Sequence, residues 1–274
     1  MLRLGSAMLI GGAATADALS VGARGSGGAP PPIDMPYGSW PSPITASLIT
    51  GSTVRLGPLA CDTNGRLFWA EGRPQENGRN VIVRWLDGEP NDHASERGAL
   101  DCTPADVNVR TRVHEYGGGA WALGPATSGG GLIYSDFSSQ RLYWLKDADA
   151  TPLCLTPDPA WTAAQFRFAD GFVVTKGSHA SRFVCVREDH TKGAPKDVVN
   201  EVVSISLDGT GDIQVIATGR DFYSHPRVSA DGKYLAYVTW NHPSMPWDST
   251  ELRVVELGGV LGGVCVCARI CTKH

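Results

Sequence analysis

Short apolar runs separated by turn residues recur along this chain. The clearest lies at 225–257, HPRVSADGKYLAYVTWNHPSMPWDSTELRVVEL. Arg227–Ser229 leads into Ala230-Asp231-Gly232-Lys233, whose Asp-Gly pair suits the positive φ of a tight hairpin turn. Tyr234–Thr239 is β-branched and aromatic, and Glu251–Leu257 extends again after a polar loop with two prolines. The pattern predicts strand, turn, strand, loop, strand.

Copies of this unit lie upstream. Asn64-Gly65-Arg66 precedes Leu67–Ala70, and Arg79–Leu86 follows. Gly129–Gly131 precedes Leu132–Tyr134, and Arg141–Leu145 follows. Asp170-Gly171 precedes Phe172–Val174, with Arg182–Arg187 and Glu201–Leu207 behind it. The turn glycines at 65, 131, 171 and 232 are spaced by 66, 40 and 61 residues. A four-stranded propeller blade takes about 40–45 residues, so the wider intervals need loop insertions. The runs are apolar almost throughout, which suits strands covered on both faces. The expected fold is therefore all-β, a partial, open β-propeller of about four blades. A β-sandwich is the alternative that such runs also allow.

Composition bounds the rest. The chain has 274 residues, 42% hydrophobic, with 33 Gly and 18 Pro, enough for a core in a turn-rich all-β domain. Net charge is −4, and the scattered Lys and Arg leave no nucleic-acid footprint. No run of 18 apolar residues predicts a membrane span. Residues 1–32 are rich in Ala, Gly and Ser and end in Pro30-Pro31-Pro32. They read as a disordered leader outside the fold. An organelle transit peptide is the first reading. A secretory signal ending near Ala14-Thr15-Ala16 and a leader with no address stay open. The expected location is thus intracellular, with plastid or mitochondrion as candidates and secretion open. The expected layout is a leader over 1–35, a partial propeller over 36–257 and an irregular tail over 258–274.

Seven cysteines are present. Cys61, Cys102, Cys154 and Cys185 read as thiols of a reducing compartment, with two disulfides as the alternative. Cys265, Cys267 and Cys271 crowd the C-terminus near His274, but C-x-C is an unusual structural zinc spacing, so no metal is expected.

Four stretches carry a resemblance: Tyr37–Ala46 (YGSWPSPITA), Val109–Trp121 (VRTRVHEYGGGAW), Arg182–Glu188 (RFVCVRE) and Asp221–Leu257. Together they resemble the propeller domain of prolyl oligopeptidase-family serine peptidases, in the acylaminoacyl-peptidase-like or dipeptidyl-aminopeptidase-like branch. The resemblance spans about residues 36–257. It implies a seven- or eight-bladed propeller that caps an α/β-hydrolase domain and admits short peptides. The Ser-Asp-His triad would lie in that later domain, and Gly258–His274 departs from the family pattern. The implied role is the non-catalytic, substrate-gating portion of a serine peptidase, truncated before its hydrolase. A stand-alone propeller serving as an interaction scaffold is the alternative.

The chemistry within the chain agrees. A nucleophile elbow needs Gly-x-Ser-x-Gly, and no serine here has that spacing. P-loop, dinucleotide and His-Glu-x-x-His motifs are missing from the sequence as well. No catalytic residue and no cofactor is expected. The expected partners are a peptide in a complete enzyme and other copies through exposed blade faces, with no nucleic acid or membrane. The densest polar constellation is Arg112-Val113-His114-Glu115-Tyr116-Gly117-Gly118-Gly119. Arg112 could pair with a carboxylate and Glu115 with an ammonium group. Arg112, His114 and Glu115 are therefore the candidate substrate contacts. The competing reading is structural: buried ion-pair or histidine–backbone bonds fastening a blade edge. Trp240–Asp248 offers aromatics for a groove, although such tryptophans more often cover a loop over the core.

Overall fold

The computed structural model describes residues 34, 36–39, 42–50, 53–86, 98–125, 130–147, 150–157, 165–257 and 264–271; for the last stretch only the backbone path is described. The backbone divides into two units, Met1–Pro43 and Ile44–His274. The leader over 1–32 and the C-terminal cysteine side chains lie outside the described residues. In the first unit Pro36–Ser39 makes a turn closed by Ser39 N–H on the Pro36 carbonyl, 3.1 Å.

The second unit is four antiparallel four-stranded sheets, each built from strands in sequence order. The first holds β1 (Arg55–Cys61), β2 (Leu67–Arg73), β3 (Arg79–Trp85) and β4 (Ala99–Asp101). The second holds β5 (Trp121–Leu123), β6 (Leu132–Ser135), β7 (Leu142–Leu145) and β8 (Leu153–Cys154). The third holds β9 (Phe166–Val174), β10 (Arg182–Asp189), β11 (Val199–Ser206) and β12 (Ile213–Ala217). The fourth holds β13 (Phe222–Val228), β14 (Tyr234–Trp240), β15 (Ser249–Glu256) and β16 (Val264–Cys271). A five-residue helix, α1 (Ala46–Thr50), precedes them. Four up-and-down sheets stacked in order are the blades of a partial, open propeller.

The seams between blades explain the continuous apolar runs. Phe68, Ile82 and Val109 meet Leu132, Tyr134 and Leu145 between blades one and two. Ile133, Trp144 and Leu155 meet Phe168, Phe183, Cys185, Val203 and Ile205 between blades two and three. Ala169, Val184, Val186 and Val202 meet Tyr223, Leu235 and Tyr237 between blades three and four. In β10, Phe183 and Cys185 face one neighbour while Val184 and Val186 face the other. All four are buried. A sandwich strand would bury one face only, so this alternation on two buried faces selects the propeller.

Differences from expectation have their causes on neighbouring strands. Asp170-Gly171 is not a hairpin turn. It lies inside β9, where the register against β10 slips between Phe172 and Ala169. Glycine is required there because a Cβ on Gly171 would sit 2.1 Å from the Phe183 ring. The β9–β10 turn instead uses Gly177, at φ 82°. The tail expected over 258–274 contains a strand, since Val264–Cys271 pairs with β15. Its sequence includes the β-branched Val264, Val266 and Ile270, and the edge of β15 needs a partner for its N–H and C=O groups. Cys61, Cys102, Cys154 and Cys185 are free thiols. Burial raises the Cys102 thiol to about 11 and pushes Cys185 higher still.

Replacing Gly171 by Ala should cost about 1–3 kcal/mol by overpacking. The same change in a Phe183→Leu background should cost less, because the ring that crowds it is gone. Urea denaturation of the four proteins of this cycle measures the coupling; a coupling near zero would contradict the packing account.

Candidate functional site

The site is built on the connection between β4 and β5, which carries the Arg112–Gly119 constellation. Its first half runs along blade two. Val109 bridges Asp136, and Arg110 N–H donates to the Ser135 carbonyl at 3.1 Å. Arg112 N–H donates to Gln140 Oε1 at 2.8 Å. Gln140 is fully buried, and its amide returns to the Phe137 carbonyl at 2.9 Å. The Arg112 guanidinium stacks on the Phe137 ring, 4.4 Å away, beside Arg110 at 4.9 Å.

The chain then turns tightly. Gly117 N–H donates to the Val113 carbonyl at 2.8 Å. His114 and Glu115 both take left-handed backbone, φ 57° and 65°, a conformation L side chains adopt at a cost. The turn leads to Gly119, whose N–H reaches Asp170 Oδ1 at 2.6 Å. Asp170 N–H returns to the Gly119 carbonyl at 2.8 Å. The other Asp170 oxygen accepts from His225 N–H at 3.2 Å. One carboxylate on blade three thus holds backbone from the connection entering blade two and from blade four.

His114 is tucked inward. Its Nε2 lies 3.1 Å from the Tyr223 carbonyl and its N–H donates to Glu188 Oε1 at 2.7 Å. Rings of Tyr116, Phe222 and Trp240 surround it. Burial holds its imidazole below the ordinary histidine value, against the pull of Glu188 and Asp170. Glu115 points outward, 79% exposed, and pairs with Arg167 at 2.7 Å. That hydrogen bond keeps its carboxyl below the usual carboxylate range.

Arg167 also donates to the Arg112 carbonyl at 3.0 Å and lies 3.9 Å from Glu188. Glu188 is buried, and its second oxygen meets His190 Nε2 at 2.9 Å. These groups line a cleft of about 610 Å³ at the seam of blades three and four. Its lining mixes charged groups, Glu115, Arg167, Glu188 and Lys196, with the apolar Phe222, Pro195 and Val198. Such a mixed lining suits a small ligand with one polar and one apolar end.

The structure therefore brings His114 and Glu115 to one cleft, His114 as a buried wall and Glu115 as an exposed acid. It places the Arg112 side chain against Phe137, and only the Arg112 carbonyl joins the network. Arg167, Glu188 and His190 were not singled out from the sequence; Glu188 entered only as the last residue of the RFVCVRE resemblance stretch. In the Trp240–Asp248 loop, Trp240 is buried and stacks on Phe222, while Trp247 is exposed.

Among the described residues, His179 Nδ1 meets Ser204 Oγ at 2.9 Å. That hydroxyl is fully buried and accepts from Arg182 Nε at 2.8 Å, so it fastens an arginine rather than facing a substrate. No group of three His, Cys, Asp or Glu suited to a metal occurs among the described residues. No helix among them is long and apolar enough to cross a membrane.

Sheets in sequence order, three two-sided seams and a cleft at a blade boundary define a β-propeller. Comparison with solved structures narrows the class. A puromycin-hydrolyzing peptidase of Mycobacterium tuberculosis matches 86% of this chain at 32% identity and a TM-score of 0.73. A puromycin hydrolase crystal structure matches the same share at 30% identity and a TM-score of 0.72. The chain spans only 36% and 35% of those two proteins. It is homologous to the propeller portion of a prolyl oligopeptidase-family peptidase. No protein-family model and no curated protein matches it.

Glu188→Ala should destabilise the chain by about 1–3 kcal/mol, since it strands the His114 N–H and the His190 ring. Glu188→Gln should cost less, because its amide oxygen still accepts from His114. Equal stability of Glu188→Ala and the parent in urea would contradict the network's role.

Proposed function

We propose that this chain is the substrate-gating propeller portion of a serine peptidase acting on short peptide-like substrates. The alignment of 86% of the chain with about a third of two puromycin-hydrolysing enzymes carries this reading. The sequence has no Gly-x-Ser-x-Gly, so the nucleophile is assigned to a hydrolase domain beyond these residues. The propeller contributes access and contact. Glu115, exposed and held ionised by Arg167, is the contact offered to a substrate amine. His114 shapes the wall behind it, and Arg112 acts through its carbonyl on Arg167.

A second reading has an observation of its own. Leu56 and Leu59 on β1 are 75% and 66% exposed. Exposed apolar side chains on a sheet-edge strand favour covering by another body. This supports an interaction module that associates through the blade-one face.

The two separate experimentally. The chain is grafted into the Mycobacterium tuberculosis peptidase in place of the matching third. A working graft should cleave short aminoacyl and peptide substrates and spare long ones, while the isolated chain cleaves neither. Hydrolysis by the isolated chain, or equal cleavage of long and short substrates by a folded graft, would sink the gating role. Concentration-dependent association abolished by Leu56→Lys and Leu59→Lys would favour the second reading.

A further inference from the structure

A second cleft lies at the seam of blades one and two. It holds about 580 Å³ between β1, β2 and the connection that leads into β5. Arg55 and Arg110 border it, and no Asp or Glu is among the residues that line it. Arg55 is exposed at the start of β1, in register with Gly72 of β2, which pairs in turn with Asn80 of β3. Side chains of directly paired residues lie on the same side of a sheet. A Cβ on Gly72 would meet Asn80 Oδ1 at 3.2 Å and the Arg55 Cβ at 3.6 Å. All three therefore share the face on which Ala70 and Ile82 turn toward blade two.

The positive charge is not compensated. Among the described residues neither guanidinium enters an ion pair or a hydrogen bond, and that of Arg110 lies 4.9 Å from the Phe137 ring. The carboxylates around the cleft are committed elsewhere. Glu71 on β2 is held by Trp69 and Arg73. Asp170, behind Gly118, is held by Gly119 and His225. On the blade-two side, Trp121 carries a buried indole N–H that has no hydrogen-bond partner. An N–H taken out of water without an acceptor is costly, so this donor is one more group that an anion would satisfy. Leu56, Pro58, Ala70 and Val109 add apolar surface, which suits an organic anion better than a bare inorganic ion.

We propose that this cleft binds the carboxylate of a small organic acid or peptide. Arg55 is the charged donor, Arg110 reinforces the field, and the Trp121 N–H is the neutral donor beside them. The cleft differs in chemistry from its neighbour across Tyr116, whose lining includes Glu115, Glu188 and Asp221. The inference rests on this lining alone and stands whether or not the chain gates a peptidase.

Titration calorimetry of the full chain tests it, with probes whose amines are acetylated so that only the carboxylate varies. Acetyl-Ala-Ala-Ala offers a terminal carboxylate and acetyl-Ala-Glu-Ala-amide a side-chain one; acetyl-Ala-Ala-Ala-amide has none. At least one acid should bind about tenfold or more tightly than the amide, and which one does names the source of the carboxylate. Arg55→Gln, an exposed change that should leave the fold intact, should weaken that binding about tenfold. Lys233→Gln, which removes the same charge from the β13–β14 turn, should leave it unchanged. In NMR spectra the acid should shift Gly117, Gly118 and the Trp121 indole. Equal binding of acids and amide, no binding at millimolar peptide, parental affinity in Arg55→Gln, or inorganic phosphate binding as tightly as the peptide acids would each overturn the assignment.

Discussion

A blade in this chain has no interior of its own. It is one sheet thick, so its apolar side chains are buried only where another blade lies against them. Ile133 turns to blade three while Leu132 and Tyr134, its neighbours in β6, turn to blade one. Val202 turns to blade four while Val203 and Ile205 turn to blade two. Each seam thus fixes the stacking of whole sheets, and the loops at the sheet ends inherit their positions from it. Where a face has no described neighbour, as along β1, leucines are left in contact with water.

Stacked sheets need a device that sets their relative height, and bulges on the inner strands provide one. β1 slips at Gly57-Pro58, β9 at Asp170-Gly171 and β13 at His225-Pro226. Proline lacks the N–H that a regular ladder would demand, so it is tolerated at such slips. A bulge also frees backbone groups from the ladder. The His225 N–H and the Asp170 carboxylate find each other through that freedom, and Gly119 completes the knot. A Cβ on Gly119 would press to 3.0 Å from Asp170 Oδ1, so the close approach depends on glycine there. The loop bearing His114 and Glu115 ends at that fixed point.

Much of the fold was legible because two-sided burial leaves a plain sequence trace. Arg79–Leu86, Arg182–Arg187 and Glu201–Leu207 read as strands from unbroken apolar runs and were found as β3, β10 and β11. The misses were governed by distant partners. Asp170-Gly171 has the chemistry of a turn; only the Phe183 ring across the sheet explains why it lies within a strand. β1, with Gly57 and Pro58, and the two-residue β8 have no strand signature of their own. The site divides in the same way. Arg112–Gly119 stood out as a polar constellation, yet the partners of Glu115 and His114 lie 52 and 74 residues further on. No local pattern connects Arg167 to Glu115, or Glu188 to His114. The ring beneath the Arg112 guanidinium, Phe137, is likewise reached only after β5 and β6.

The two candidate residues that share the cleft illustrate a division of labour that burial imposes. An ionised group offered to a ligand must keep water enough to remain charged. Glu115 does so at the rim, with Arg167 as its only strong tie. A group that positions the rim must be immobile, and immobility comes from burial. His114 is held that way, its N–H on Glu188 and its ring against the Tyr223 carbonyl, Phe222 and Trp240. Asp170 anchors the other end of the loop through backbone N–H donors, that of Gly119 at 2.6 Å and that of His225 at 3.2 Å. The loop is fixed at Gly119 by Asp170 and at His114 by Glu188, and the stretch between these two anchors carries Glu115 to the rim.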